Sequence, residues 1–105
     1  MPDNRGVILL FFDLPSLTKE QKREYAAFRK KIKREGFTAI QESVYVKLLR
    51  STSLLKKETE KVKDFCPADG SVLVLPMSLD VFSRLTSLTG ENFDMELFAN
   101  DTIYV

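Results

Sequence analysis

The 105-residue sequence contains no histidine, and its one cysteine is Cys66. Acid–base or metal chemistry must therefore fall to carboxylates, hydroxyls and cations. The most suggestive carboxylate is Asp13. It ends the apolar run Val7–Phe12 and is followed by Leu14-Pro15. Such a run suits a strand buried on both faces. An acid at its end either shapes the following turn or is held at the rim of the core as an oxygen ligand. Without histidine, oxygen ligation favours Mg²⁺, with Mn²⁺ as the second choice, over Zn²⁺. Such a cation offsets charge on a reacting phosphate and activates water. Mg²⁺ retains several waters, so one or two carboxylates suffice to hold it. From the residues alone, both readings of Asp13 stay open.

The second chemical feature is cationic. The formal net charge of +1 conceals an asymmetry: residues 1–63 hold 15 Lys/Arg against 8 Asp/Glu, whereas residues 64–105 hold 1 against 7. Much of the excess lies in Lys19–Glu35, with eight bases and three acids. Arg23, Arg29, Lys30, Lys33 and Arg34 are candidate phosphate contacts; the plainer reading is a solubilising face. One-signed bias of this kind suits a polyanion. With no Trp in the chain and most aromatics expected inside, stacking on single-stranded bases has little support. Duplex backbone binding fits better. The acidic stretch Glu91–Asp101 could dock on a basic partner or simply solubilise an edge.

Several elements must position these groups. Thr18 caps a helix, and Gln21 three residues later completes a capping box. Gly36 ends this helix after a basic last turn. Leu17, Gln21, Tyr25, Phe28 and Ile32 are predicted on its inward stripe. Phe37–Leu49 reads as extended, with a turn or bulge near Gln41–Ser43 dividing it, although no Gly or Asn marks the place. Within it Val44, Val46 and Leu48 share a face opposite Tyr45 and Lys47. A second helix is capped by Ser51 or Ser53, turns Leu54, Leu55, Val62 and Phe65 inward, and ends at Cys66-Pro67. Cys66 reads as packing rather than reactive. Asp69-Gly70 forms a turn. Ser71–Met77 is a further strand, and Ser78 or Asp80 caps a short helix, Asp80–Leu88, closed by Gly90. The order predicts one α+β domain over residues 1–105, a ferredoxin-like βαββαβ sandwich. The apolar tail, residues 91–105, exceeds that unit. It is expected to form an extra strand that pairs across a homodimer.

No apolar run approaches the roughly 20 residues of a membrane helix. The start, MPDNRG, carries no signal pattern, and a single cysteine fits a reducing compartment. The expected location is cytoplasmic, without a membrane partner.

Three motifs in order, FFDLP, then FRKKIKREGF, then QESVY, resemble the CRISPR-associated endonuclease family, the small dimeric partner of the CRISPR integrase in spacer acquisition. The FDLP variant is closest to the subgroup of type II systems. The resemblance covers nearly the whole chain and implies a ferredoxin-like homodimer. It puts Asp13 at the family's metal-binding carboxylate, where two copies face each other across the dimer axis and hold Mg²⁺. It places Ser43 and Tyr45 near the dimer cleft. The implied function is a CRISPR adaptation subunit that binds duplex DNA and the integrase, with Mg²⁺-dependent endonuclease activity at the paired Asp13. Leu14-Pro15 departs from the more polar turn of many members. Two alternatives stand beside this reading: a toxin-like ribonuclease on the same fold, and a non-enzymatic ferredoxin-like regulatory module.

Overall fold

A computed structural model describes residues 4–89. The tail at residues 91–105, expected to be a dimer-pairing strand, and Gly90, expected to close the last helix, lie outside the described residues. The elements are β1 (Gly6–Asp13), α1 (Lys19–Arg34), β2 (Thr38–Gln41), β3 (Val44–Leu49), α2 (Leu55–Asp64), β4 (Ser71–Ser78) and α3 (Leu79–Phe82). A single 3₁₀ turn, Thr52–Leu54, leads into α2. The four strands form one antiparallel sheet in the order β2-β3-β1-β4. This is the expected ferredoxin-like α+β arrangement.

β1 is an inner strand because both of its faces are apolar. Ile8, Leu10 and Phe12 pack with Phe28 and Ile32 of α1, Val62 of α2, and Tyr45 and Leu49 of β3. On the other face Val7 and Leu9 pack with Val46, Leu48 and Phe82. The sorting of Val44, Val46 and Leu48 against Tyr45 and Lys47 is as the two-residue alternation requires.

Local signals set most boundaries. The Thr18–Gln21 capping box is complete. Gln21 N–H donates to Thr18 Oγ1 at 3.0 Å, and the Thr18 N–H donates to Gln21 Oε1 at 3.1 Å. Leu17, placed on the inward stripe by its spacing, is instead 90% exposed. It precedes the cap, and its N–H is tied to Gln21 Oε1 at 2.9 Å, so the stripe begins one turn later. The last helix is also shorter than expected. Ser78 caps it, but it ends at Phe82, the residue that reaches the core.

Two features escaped the pattern. Lys47, in the middle of β3, is buried, and its Nζ meets Glu58 of α2 at 2.9 Å. A buried ion pair is only weakly stabilising in itself, but losing one partner leaves a charge without compensation. The second lies in the turn expected near Gln41–Ser43, which the structure forms between Gln41 and Val44: Ser43 there adopts φ +64°, without the Gly or Asn that marks such a position. This left-handed conformation costs a side-chain-bearing residue about 1–2 kcal/mol. Surrounding contacts must hold it there.

Two stability measurements follow. Lys47→Met is expected to lower unfolding free energy by about 3–5 kcal/mol in urea titrations, and adding Glu58→Leu to recover most of that loss. Ser43→Gly is expected to stay within about 1 kcal/mol of the parent, because Gly accepts positive φ but loses more chain entropy. Ser43→Val is expected to cost about 2 kcal/mol, since β-branched residues are poorly tolerated there.

Candidate nucleic-acid and metal site

Asp13 is the last residue of β1 and is exposed at the rim of the sheet. Three constraints hold its backbone. The preceding residue, Phe12, donates its N–H to the Ser43 carbonyl at 3.1 Å. Asp13 itself stands opposite Ser71 in the β1–β4 register. Gly70, at φ +96°, lies so close that a Cβ there would fall 2.9 Å from the Asp13 carbonyl oxygen and 2.7 Å from Leu14 Cδ2. Only glycine fits that approach.

The flanking apolar residues anchor the acid further. Phe12 points to the helix face and is the hub of an aromatic cluster. Its ring lies 5.8 Å from Tyr25, 5.2 Å from Phe28 and 5.6 Å from Tyr45, the first two edge-on and the last stacked. Leu14 is buried in the same core. With neighbours on both sides buried, Asp13 is left at the opposite sheet face. The turn and ligand readings are thus physically compatible: the core fixes the backbone and the carboxylate stays exposed.

Asp13 shares a cavity of about 200 Å³ with Phe11, Ser43, Val44, Ser71 and Leu73. Its floor is the sheet face that α1 and α2 do not cover. Phe82 closes the far end of this face over Val7 and Leu48. Toward Asp13 no described element covers the face, and Leu73 is 63% and Leu75 51% exposed. The Asp13 carboxylate is an oxygen donor of the kind that Mg²⁺ prefers. Asp13 is the one carboxylate among the described residues lining this cavity, and no group of three or more possible ligand side chains occurs among the described residues.

The five candidate phosphate contacts, Arg23, Arg29, Lys30, Lys33 and Arg34, are all exposed on α1. They do not converge on Asp13. α1 packs its Phe28–Ile32 stripe on one sheet face, whereas Asp13 belongs to the other. Arg23, Lys30 and Arg34 form the row most distant from the sheet. Arg29 differs: its guanidinium carbon sits 6.0 Å from the Tyr25 ring centroid. It also lines a cavity of about 430 Å³ with Tyr25, Gln41, Ser43 and Tyr45. Ser43 borders both this cavity and that of Asp13. Tyr45 is buried beneath Phe12 on the helix side.

Spacing puts Tyr25 in the core. It is half-buried, with its hydroxyl oxygen 3.5 Å from Ser43 Oγ. Sequence reasoning missed this second role; the available signal was a polar-tipped ring on an otherwise apolar stripe. Cys66 behaves as expected of a packing residue. Its Sγ donates to the Val62 carbonyl at 3.3 Å, and burial pushes the thiol pKa up. Among the described residues no helix is long and apolar enough to cross a membrane.

Comparison with known proteins agrees with the motif reading. Residues 7–85 match the family described as CRISPR associated protein Cas2. Three similar proteins carry the name CRISPR-associated endoribonuclease Cas2. The Acidovorax ebreus protein is 35% identical over 83 residues, covering 79% of this chain and 81% of that one. The protein of Streptococcus mutans serotype c (strain NN2025) is 36% identical over 84 residues, 80% of this chain and 78% of its own. The Treponema denticola protein is 35% identical over 88 residues, 81% of this chain and 84% of its own. The open sheet face, the rim carboxylate and the basic helix thus occur in a chain that belongs to the Cas2 family of CRISPR-associated proteins.

Proposed function

We propose that the protein is a CRISPR adaptation subunit that works as a homodimer, binds nucleic acid through its helix layer, and hydrolyses phosphodiesters at paired Asp13 residues. The observation that carries this reading is the apolar sheet face ending at Asp13, which no described element covers. Leu73 and Leu75 are more than half exposed, and covering them is worth on the order of 1–2 kcal/mol each. A second copy related by a twofold axis covers this face with its own equivalent. The same contact brings a second Asp13 toward the first.

Two Asp13 carboxylates would hold one Mg²⁺ (or Mn²⁺), which supplies charge stabilisation for the phosphate and a more acidic bound water. The chain's own contribution is positional. Phe12, Leu14 and Gly70 hold the carboxylate at the rim, while the Ser43 carbonyl fixes the backbone before it. Arg23, Lys30, Lys33 and Arg34 attract the sugar-phosphate backbone from the outer helix surface. None of these four is ion-paired with a described residue. Duplex DNA and the CRISPR integrase are the partners proposed for the adaptation role. The endoribonuclease name carried by the relatives favours a second reading, with RNA as the hydrolysed substrate.

The experiment pairs oligomeric state with cleavage. Sedimentation is expected to give a dimer, and Leu73→Asp to shift it to monomer. Asp13→Ala is expected to keep the dimer and reduce Mg²⁺-dependent cleavage of RNA or DNA by about 100-fold or more, the usual scale for loss of a key electrostatic group. Chelation of the metal should have the same effect. Equal cleavage by parent and Asp13→Ala removes the catalytic assignment. Dimerisation with the integrase still bound would then leave a purely architectural subunit.

A further inference from the structure

We infer that Tyr25, Arg29 and Ser43 form a separate subsite for one internal phosphodiester, next to the Asp13 cavity. It takes the strand that flanks the scissile phosphate, and in that respect it rests on the reading of Asp13 given above.

The cavity of about 430 Å³ at the edge of the sheet brings three kinds of donor together. Arg29 supplies a guanidinium, a planar fork suited to phosphate oxygens. Its carbon sits 6.0 Å from the Tyr25 ring centroid, where cation–π attraction biases the side chain toward the cavity. Tyr25 and Ser43 supply hydroxyls 3.5 Å apart. That separation is long for O–H···O bonding, so both hydroxyls retain capacity for a third partner. Gln41 adds a side-chain amide at the rim.

Ser43 lines both this cavity and that of Asp13. A strand crossing the β2–β3 turn would therefore meet both. Ser43 also holds φ +64°, a strained state of the kind that collects at ligand clamps. Its carbonyl is already used by the Phe12 N–H, so the hydroxyl beside Tyr25 is the group it can offer a ligand.

Glu42 lines the same cavity and narrows the ligand class. An acid on the rim repels a terminal phosphate, which carries close to two negative charges, more than a singly charged diester. The subsite thus favours an internal linkage over a 5′-phosphate end. Arg29 is thereby distinguished from Arg23, Lys30, Lys33 and Arg34, which line neither this cavity nor that of Asp13.

The test is a binding titration of the full chain with a short duplex in Mg²⁺-free buffer, so that cleavage does not interfere. Parallel RNA and DNA duplexes, each with and without a 5′-phosphate, are used across a salt series. Arg29→Gln is expected to weaken binding about tenfold and to reduce the slope of log K against log salt by about 1, as for one lost phosphate contact. Arg29→Lys keeps the charge but loses the fork, and is expected to weaken binding about threefold. Tyr25→Phe keeps the ring in the core and removes the hydroxyl. It should weaken binding about three- to tenfold, the span of one hydrogen bond, with the salt slope unchanged. Affinity should not depend on the 5′-phosphate.

Full binding by Arg29→Lys and Tyr25→Phe, with thermal unfolding unaltered, overturns the subsite and leaves Arg29 a generic surface charge. Tighter binding of 5′-phosphorylated ends also overturns it. These outcomes are independent of Asp13. Failure of the catalytic reading shows as Asp13→Ala cleaving like the parent, with the binding defects of Arg29 and Tyr25 variants still present.

Discussion

The architecture depends on one constraint: β1 is apolar on both faces, and the two long helices cover only one of them. Ile8, Leu10 and Phe12 are sealed by α1 and α2, whereas Val7 and Leu9 face β3, β4 and the short α3. A four-residue helix cannot span a strand of eight residues. It places Phe82 over one end and leaves the other open, from Phe11 and Leu73 to Asp13. An open apolar surface beside a rim carboxylate is what a symmetric partner would cover. The same geometry then gives the proposed dimer and the proposed pairing of acids a single physical origin.

The sheet also separates the chain's electrostatic duties. The exposed cations of α1 lie on the layer away from Asp13. In solution at physiological salt, fields fade over about 8 Å, so in the proposed function the outer row would act on encounter and orientation of the nucleic acid more than on the chemistry at Asp13. Arg29 lies between these regimes, close to the turn that joins the helix side to the rim. Ser43, in the β2–β3 turn, is the spatial link there. It anchors Phe12 through its carbonyl and borders both cavities.

Much of this was legible before any coordinates, for reasons of range. The Thr18–Gln21 box and the left-handed Gly36 depend on neighbours within a few residues, and both appear as expected. The unbroken run Val7–Phe12 required an inner strand, and its abrupt end placed Asp13 at a rim. Features that depend on distant partners were harder to read. Lys47 interrupts an apolar strand, but only the docking of α2 brings Glu58 within 2.9 Å. A partial signal existed, because Glu58 falls one helical turn before the inward-facing Val62. The Ser43 turn lacked the Gly or Asn that advertises positive φ. Helical spacing sets Arg29 on the flank, four residues after Tyr25, while the other four candidate cations fall on the outer face; only the fold shows its guanidinium 6.0 Å from the Tyr25 ring centroid and the cavity beside it.

In the proposed dimer two copies of Asp13 face one another across the sheet face that α1 and α2 leave uncovered. The most direct test of this pairing is a dipolar spin-label distance measured on Asp13→Cys in a Cys66→Ser background, compared with Arg34→Cys on the outer helix row. The account predicts one well-defined distance between Asp13 labels, clearly shorter than that between Arg34 labels. An Asp13 distance longer than the Arg34 distance, or no dipolar coupling from folded protein at the concentrations used for cleavage, would contradict it.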